Sequence, residues 1–307
     1  MTRFPSLAFS TKRPCIAIVP LSGAASAGTD FKLGEEQLRN AGFEVINYYD
    51  PERRFQRFGA TDTQRIELFY QALENPEVDL VMSLRGSYGV SRILPYLDFE
   101  RIAAANKLVI GFSDINALQL AMLAKSNQGS LCGPMFCSDF ALTALREFTQ
   151  SHFQAALREG KSEVVFESDL AQEVELCGPL WGGNLAMLNH LVGTEFMPRM
   201  HGGILFLEDV AEHPYRVERM VLQLKMAGVL ESQKALIFGD FSAYQLAEHD
   251  NGYNFNEMIG FLRQELSIPI FTGLPFGHCA DKLSLFQGAQ YQLHSNGSSV
   301  RLSAHIT

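Results

Sequence analysis

Residues 107–123, KLVIGFSDINALQLAML, decide how this chain is read. Leu108, Val109 and Ile110 form a short apolar, β-branched-rich run of the kind a buried parallel strand uses, and Gly111 closes it. A helix follows at once, with Ile115, Leu118 and Met122 at helical spacing on its core face, so the chain turns sharply from strand to helix at Ser113. A serine on such a turn has its hydroxyl lifted out of the sheet. Beside it lie the first free N–H groups of the new helix, which favour negative charge. Those are the mechanical needs of a nucleophile. The pattern Gly111-Phe112-Ser113-Asp114-Ile115 keeps the first glycine of G-x-S-x-G and lacks the second, so it is not the α/β-hydrolase signature. Capping of the helix by Ser113 or Asp114 accounts for the same residues without any chemistry.

Upstream of this turn the chain alternates strand and helix. Cys15 to Val19 reads as a strand, Glu35 to Asn40 as part of a helix stopped before Gly42, and Glu44 to Asn47 as the second strand. Thr61 to Gln64 has capping-box spacing and opens a helix with Ile66, Phe69, Tyr70 and Leu73 on one face. The strand Asp79 to Ser83, the loop Arg85 to Gly89 and a helix through Ile93 and Leu97 lead back to the opening stretch. This alternation predicts an α/β fold whose N-terminal part is a doubly wound, mostly parallel sheet of the flavodoxin or class I amidotransferase kind. In such sheets the loops after the strands' carboxyl ends form the ligand crevice, and both Arg85–Gly89 and Ser113 occupy such loops.

After a helix near Phe140 to Gly160 the pattern changes. The expected division is an α/β nucleophile domain over 1–160, a crossover linker over 161–177 and a second, α+β domain over 178–307. Strands are expected in that last part at Gly203–Leu207, Ala235–Phe238 and Tyr291–Leu293, with helices at Leu185–Val192, Val217–Met226 and Asn256–Leu266.

Composition sets outer bounds. Hydrophobic residues make up 47% and charged residues 19% of 307, as in a globular enzyme with a large core. No apolar run approaches the roughly 18–20 residues that cross a bilayer. The start shows no signal-peptide pattern, so the expectation is a cytoplasmic protein. A net charge of −9 makes nucleic acid a poor partner. Five cysteines without a C-x-x-C pair fit a reduced compartment and argue against a zinc knuckle. The sequence has no H-E-x-x-H, and His201, His213 and His249 lack ligand spacing, so neither a metal nor another cofactor is expected.

Four stretches combine polar residues with turn glycines. In Arg85-Gly86-Ser87-Tyr88-Gly89 two glycines let the backbone approach a ligand and expose N–H groups, although a tight turn with no ligand looks the same. The Ser113 turn is the second. In the third, the strand Gly203 to Leu207 delivers Glu208 and Asp209 at its end, where Glu208 could orient an imidazole or pair with Arg216 or Arg219. In the fourth, His278 stands on the Gly/Pro-rich loop from Gly273 to Cys279, as a base or as a hydrogen-bonded structural residue. Amide hydrolysis by a serine needs a base, a carboxylate to orient that base, and N–H donors for the oxyanion. Ser113, His278, Glu208 and the N–H groups of Gly86 and Asp114 supply one of each.

Taken with Gly178-Pro-Leu-Trp181-Gly-Gly-Asn184-Leu, Leu207-Glu208-Asp209-Val, Glu212 and Pro214-Tyr215-Arg216, these residues resemble the LD-carboxypeptidases of serine peptidase family S66, in particular the bacterial muramoyltetrapeptide carboxypeptidases. The resemblance runs from Ile16 to about Leu285. It implies Ser113 as nucleophile, Glu208 and His278 as its partners across an interdomain cleft, and an oxyanion site at Gly86 and Asp114. It also implies a metal-free cytoplasmic homodimer that releases terminal D-alanine from murein tetrapeptide, or its muramoyl-linked form, in cell-wall recycling. Trp181, the one tryptophan, reads either as a core anchor or, from its place in Trp-Gly-Gly-Asn, as a cleft wall with Asn184 as a substrate contact, and Arg85 and Arg216 are the candidates to meet the substrate carboxylate. The chain departs from the family pattern at Ser87, where a second glycine is expected, at Pro20-Leu21-Ser22, and at Cys132 before Gly-Pro.

Other readings remain. The family's microcin-immunity branch acts on peptidyl or aminoacyl nucleotides. A non-catalytic module could hold an anion or nucleotide in the Gly-rich loops. A cysteine hydrolase using Cys279 beside His278 is disfavoured, because adjacent side chains rarely converge on one reacting atom.

Overall fold

The computed structural model describes residues 2–5, 13–169 and 172–306. In chain order the strands are β1 (Cys15–Val19), β2 (Glu44–Asn47), β3 (Leu80–Ser83), β4 (Leu108–Gly111), β5 (Ser130–Cys132), β6 (Lys161–Glu167), β7 (Glu173–Asn184), β8 (Ile204–Val210), β9 (Ala235–Ser242), β10 (Ile270–Phe271), β11 (Leu285–Gln287), β12 (Gln290–Asn296) and β13 (Ser299–His305). The α-helices are α1 (Phe31–Asn40), α2 (Asp62–Glu74), α3 (Val90–Ile93), α4 (Phe99–Ala105), α5 (Ile115–Ser126), α6 (Glu147–Glu159), α7 (Leu185–Leu191), α8 (Pro214–Met226) and α9 (Phe255–Glu265).

The first sheet has the order β2-β1-β3-β4-β5-β11, parallel except where β11 runs against β5. Its β1, β3 and β4 are entirely apolar apart from Ser83 and Gly111, and all three are buried along their whole length, as strands covered on both faces must be. The order reverses between β1 and β3, and loops at the carboxyl ends beside that switch point are where doubly wound folds bind ligands. The capping box expected at Thr61 and Gln64 is formed and opens α2.

The second sheet is mixed, in the order β10-β9-β8-β7-β12-β13-β6. Its β7–β10 half is parallel, and β12, β13 and β6 are antiparallel. Residues 161–177 are therefore not a linker. Residues 161–167 form the edge strand β6, paired along its length with β13, and Glu173 begins the long β7; Leu170 and Ala171 lie outside the described residues. Ser162, Val164 and Phe166 do alternate inward, but the outward-facing Val165 is 57% exposed and hides the period of two in the sequence. The boundary between the halves is crossed twice more, into β11 and out of it. β11 completes the first sheet, and after a turn at Gly288, with φ of +89°, β12 belongs to the second.

Helix α5 lies where the halves meet, touching β4 of one sheet, β7 of the other, and β11. Every residue from Ile115 to Leu123 is buried, so the expected single core face is a helix enclosed all round. Its polar Asn116 and Gln119 are satisfied internally. Gln119 donates to the carbonyls of Gly111 and Leu131, and Asn116 Nδ2 donates to Gln119 Oε1. Among the described residues no helix is long and apolar enough to cross a membrane.

Candidate active site

β4 ends at Gly111 and α5 begins at Ile115, so the chain reverses direction within three residues. Ser113 takes up that reversal in the left-handed region, at φ +63°, a conformation that costs a non-glycine residue free energy and persists where surrounding packing enforces it. Neither Ser113 nor Asp114 caps α5 through its side chain, so the capping explanation fails. The Asp114 carboxylate turns back instead, accepting from Ser22 Oγ at 2.6 Å and from the Val90 N–H at 2.8 Å. It thereby ties the loops after β1 and β3 to the turn, and burial raises its pKa despite these donors.

Gly86 packs directly against the serine. A Cβ there would sit 2.9 Å from both Ser113 Cβ and Oγ, and 3.6 Å from the Asp114 nitrogen, so only glycine lets the loop come this close. Neither the Gly86 nor the Asp114 N–H donates to another described residue, and Gly86 lies against the serine side chain and the Asp114 nitrogen. Ser87 is also left-handed, at φ +86°, which explains why a glycine is the expected residue there. Its hydroxyl accepts from Arg57, a contact a glycine could not make.

The second half supplies the other two groups. The parallel strand β8 delivers Glu208, fully buried, at its carboxyl end. The loop after β10 carries His278, whose Nδ1 lies 2.7 Å from Glu208 Oε2 and whose Nε2 lies 3.1 Å from Ser113 Oγ. With Nδ1–H donating to the carboxylate, Nε2 is left to accept the serine proton. Gly277, at φ +136°, permits this approach: a Cβ there would lie 3.0 Å from Glu208 Cβ and 3.1 Å from its Oε2. The ring packs edge-on against Phe112 at 5.1 Å. Burial pulls the His278 pKa down. The hydrogen bond and charge of Glu208, with Asp209 behind it, outweigh burial and hold the imidazole above its ordinary value.

Two expectations are corrected. Trp181 is no cleft wall. It is fully buried in β7, donates to Gln233 Oε1 at 2.8 Å, and backs a separate cavity of about 430 Å³ that also involves Met197, Arg199 and Val229. Asn184 is no substrate contact, because it is buried and its amide is taken up by Glu208, Asp209 and the first turn of α7. Gly182 and Gly183 between them are steric necessities. A Cβ would meet Phe206 O at 2.0 Å from the first and the Asn116 amide at 2.5–2.7 Å from the second. Of the two candidate arginines, Arg85 donates through Nη1 to Ala24 O and Ser26 Oγ beside the cleft loops, whereas Arg216 sits exposed on α8, bonded to Tyr215 and paired with Glu212.

Two further features hold the site: an ion pair that no motif in the sequence points to, and Asp209, whose place at the strand end is legible but whose role is not. Lys282 and Asp139 form a buried ion pair at 2.6 Å, and Lys282 also donates to Cys279 O, clamping the His278 loop to the 136–140 turn. A lysine four residues beyond a histidine carries no signal of its own. Asp209 accepts from Ala186 N, Val210 N and Asn184 Nδ2, while burial and the neighbouring Glu208 push its pKa up to about 6. Among the described residues no group of three or more His, Cys, Asp or Glu side chains is placed to hold a metal ion.

Sequence models of the LD-carboxypeptidase N-terminal and C-terminal domains match residues 16–133 and 177–293. The chain is also 43% identical to the muramoyltetrapeptide carboxypeptidase from Oxalobacter formigenes, whose crystal structure matches 95% of this chain and 100% of its own with a TM-score of 0.91. This chain belongs to the LD-carboxypeptidase family. The murein tetrapeptide carboxypeptidase of Pseudomonas aeruginosa is 29% identical over 96% of this LD-carboxypeptidase and 99% of that protein. The microcin C7 self-immunity protein MccF of Escherichia coli is 25% identical over 91% of this chain and 89% of its own. The wild-type apo structure of MccF, 23% identical with a TM-score of 0.86 over 99% of each chain, shows that the fold is shared. The Ser113, His278 and Glu208 cluster of this LD-carboxypeptidase is assembled from both matched segments.

Proposed function

We propose that this LD-carboxypeptidase hydrolyses the L,D-peptide bond of murein tetrapeptide, free or muramoyl-linked, and releases terminal D-alanine. The observation that carries this reading is the continuous hydrogen-bonded line from Ser113 through His278 to the buried Glu208. Nε2 of His278 takes the Ser113 proton as Oγ attacks the scissile carbonyl. The oxyanion is met by the N–H groups of Gly86 and Asp114, fixed before the reaction begins and therefore needing no reorganisation. The imidazolium, stabilised by Glu208, protonates the departing D-alanine nitrogen, and a water activated by the same imidazole then hydrolyses the acyl-enzyme. Arg85, anchored among the described residues through Nη1, offers its remaining donors to the substrate's terminal carboxylate.

The murein reading is favoured over an aminoacyl-nucleotide one because the relatives at 43% and 29% identity carry murein names, against 25% for MccF. A non-catalytic binding role gives no reason for a strained serine aligned on an imidazole. The reading extends to a cytoplasmic homodimer, which fractionation and sedimentation would test. The deciding assay follows D-alanine release from murein tetrapeptide, side by side with an aminoacyl sulfamoyl nucleotide. Release from the tetrapeptide by wild type and none by Ser113→Ala is expected. An unchanged rate in Ser113→Ala, or cleavage of the nucleotide alone, overturns it.

A further inference from the structure

A relay of this kind works only if the carboxylate keeps one oxygen on the imidazole while the other is held elsewhere. Oε2 of Glu208 faces His278, and Oε1 accepts from Asn184 Nδ2 at 3.2 Å. The same nitrogen donates to Asp209 Oδ1 at 3.0 Å, so its two hydrogens serve two adjacent carboxylates. The amide oxygen of Asn184 caps α7 by accepting from Met187 N at 3.1 Å. Its backbone N–H donates at 3.0 Å to Oδ1 of Asn116, whose own N–H bonds the Ser113 carbonyl at 2.9 Å. The path therefore closes on itself: Ser113, His278, Glu208, Asn184, Asn116 and back to the serine turn.

We propose that Asn184 is the positioning residue of this relay, its side chain setting the rotation of the Glu208 carboxylate and its backbone fixing β7 to the serine helix. The proposal rests on the roles given above to Ser113, His278 and Glu208. No other residue type meets the demand. One acceptor for a helix N-terminus and two donors for two carboxylates, on a side chain this short, require asparagine; aspartate lacks the donors, serine has one, and glutamine is a methylene too long. The charged and titratable groups around the junction are Glu208 and Asp209 from β8, His278 and Lys282 from the loop after β10, and Cys132 from β5.

Asn184→Ser retains a helix cap and the backbone N–H while leaving at most one short donor, the hydroxyl, where the amide served both carboxylates. The expected result is a loss in kcat of about 100-fold, the scale on which small misplacements of reacting groups act, with KM unchanged. The acid limb of kcat/KM moves to higher pH, because a Glu208 without its second donor leans harder on the imidazolium. Two readouts need no peptide: the rate at which a fluorophosphonate labels Ser113, expected to fall in parallel, and the far-downfield proton resonance of His278 Nδ1, expected to shift or broaden. Asn116→Ala cuts the backbone arm and is expected to lower the labelling rate in the same direction. Wild-type kcat, labelling rate and pH profile in Asn184→Ser, or a rise in KM alone, overturn the proposal. If wild type is labelled but releases no D-alanine, the substrate reading fails while the labelling and proton resonance still decide the role of Asn184. If wild type is not labelled, the relay falls and the proposal with it.

Discussion

His278 Nε2 lies 3.1 Å from Ser113 Oγ although 165 residues separate them in the chain. The serine rides on the first sheet and the histidine on a loop of the second, so their distance is a property of how the two sheets pack. It also depends on the chain crossing three times between sheets, at β5–β6, β10–β11 and β11–β12.

Ser113→Ala removes the nucleophile from a turn that alanine can follow at similar cost. A loss of D-alanine release by at least about 10⁴-fold is expected, with the thermal unfolding midpoint close to wild type. Retention of more than a small fraction of the rate would exclude covalent catalysis through this residue.

The base must be neutral to accept a proton, and His278 is held above the usual histidine range by Glu208. The kcat/KM profile of wild type should therefore rise through a pKa higher than that of free histidine. Glu208→Gln removes the charge, so its acid limb moves to lower pH while kcat falls by about 10⁴-fold. A limb that stays in place would separate the acid limb from His278.

Gly277→Ala places a methyl about where the Glu208 carboxylate packs, in a backbone conformation that L-residues avoid. Destabilisation of about 1–3 kcal/mol is expected from denaturant titration, together with a lower kcat. Wild-type kcat in a folded Gly277→Ala would show that the close packing of loop on carboxylate is dispensable.

Lys282→Met leaves the Asp139 carboxylate buried without its cation, and a loss of about 3–5 kcal/mol is expected. Adding Asp139→Leu should restore much of that stability by removing the orphaned charge. A double variant no more stable than the single one would contradict this account.

Asp209 has a folded pKa near 6 against an unfolded value near 4, so between those pH values the native state binds more protons. Stability contributed by this group is therefore largest below its unfolded pKa and declines as pH rises through 6, by about 1–3 kcal/mol. Urea titrations from pH 4 to pH 8 should show this decline in wild type and a flatter dependence in Asp209→Asn. Equal slopes would remove Asp209 as its source.

Local patterns carried much of the fold. The strands β1 and β2, the capping box at Thr61 and the strand-to-helix turn at Ser113 were legible because each depends on neighbours within a few residues. The strands β6 and β11 were not. β6 shows an apolar residue outward, β11 spans Leu285–Gln287 alone, and a short run cannot announce which sheet it joins. The Trp-Gly-Gly-Asn run stands out in the sequence, but that Trp181 and Asn184 are buried and bonded inside the protein is decided by packing. The glycines are there for close strand and helix packing between elements far apart in the chain.

By itself, the order of residues determined which side chains were available: a serine on a tight turn, a carboxylate at a strand end, a histidine on a glycine-rich loop. Periodicity and turn chemistry act over a few residues, and so they are written in the sequence. The tertiary structure alone decided that these groups share one hydrogen-bonded line, that Asn184 and Asn116 close it, and that Lys282 and Asp139 anchor it. Those relations depend on distances between elements far apart in the chain, and such distances are set by how two sheets pack around α5.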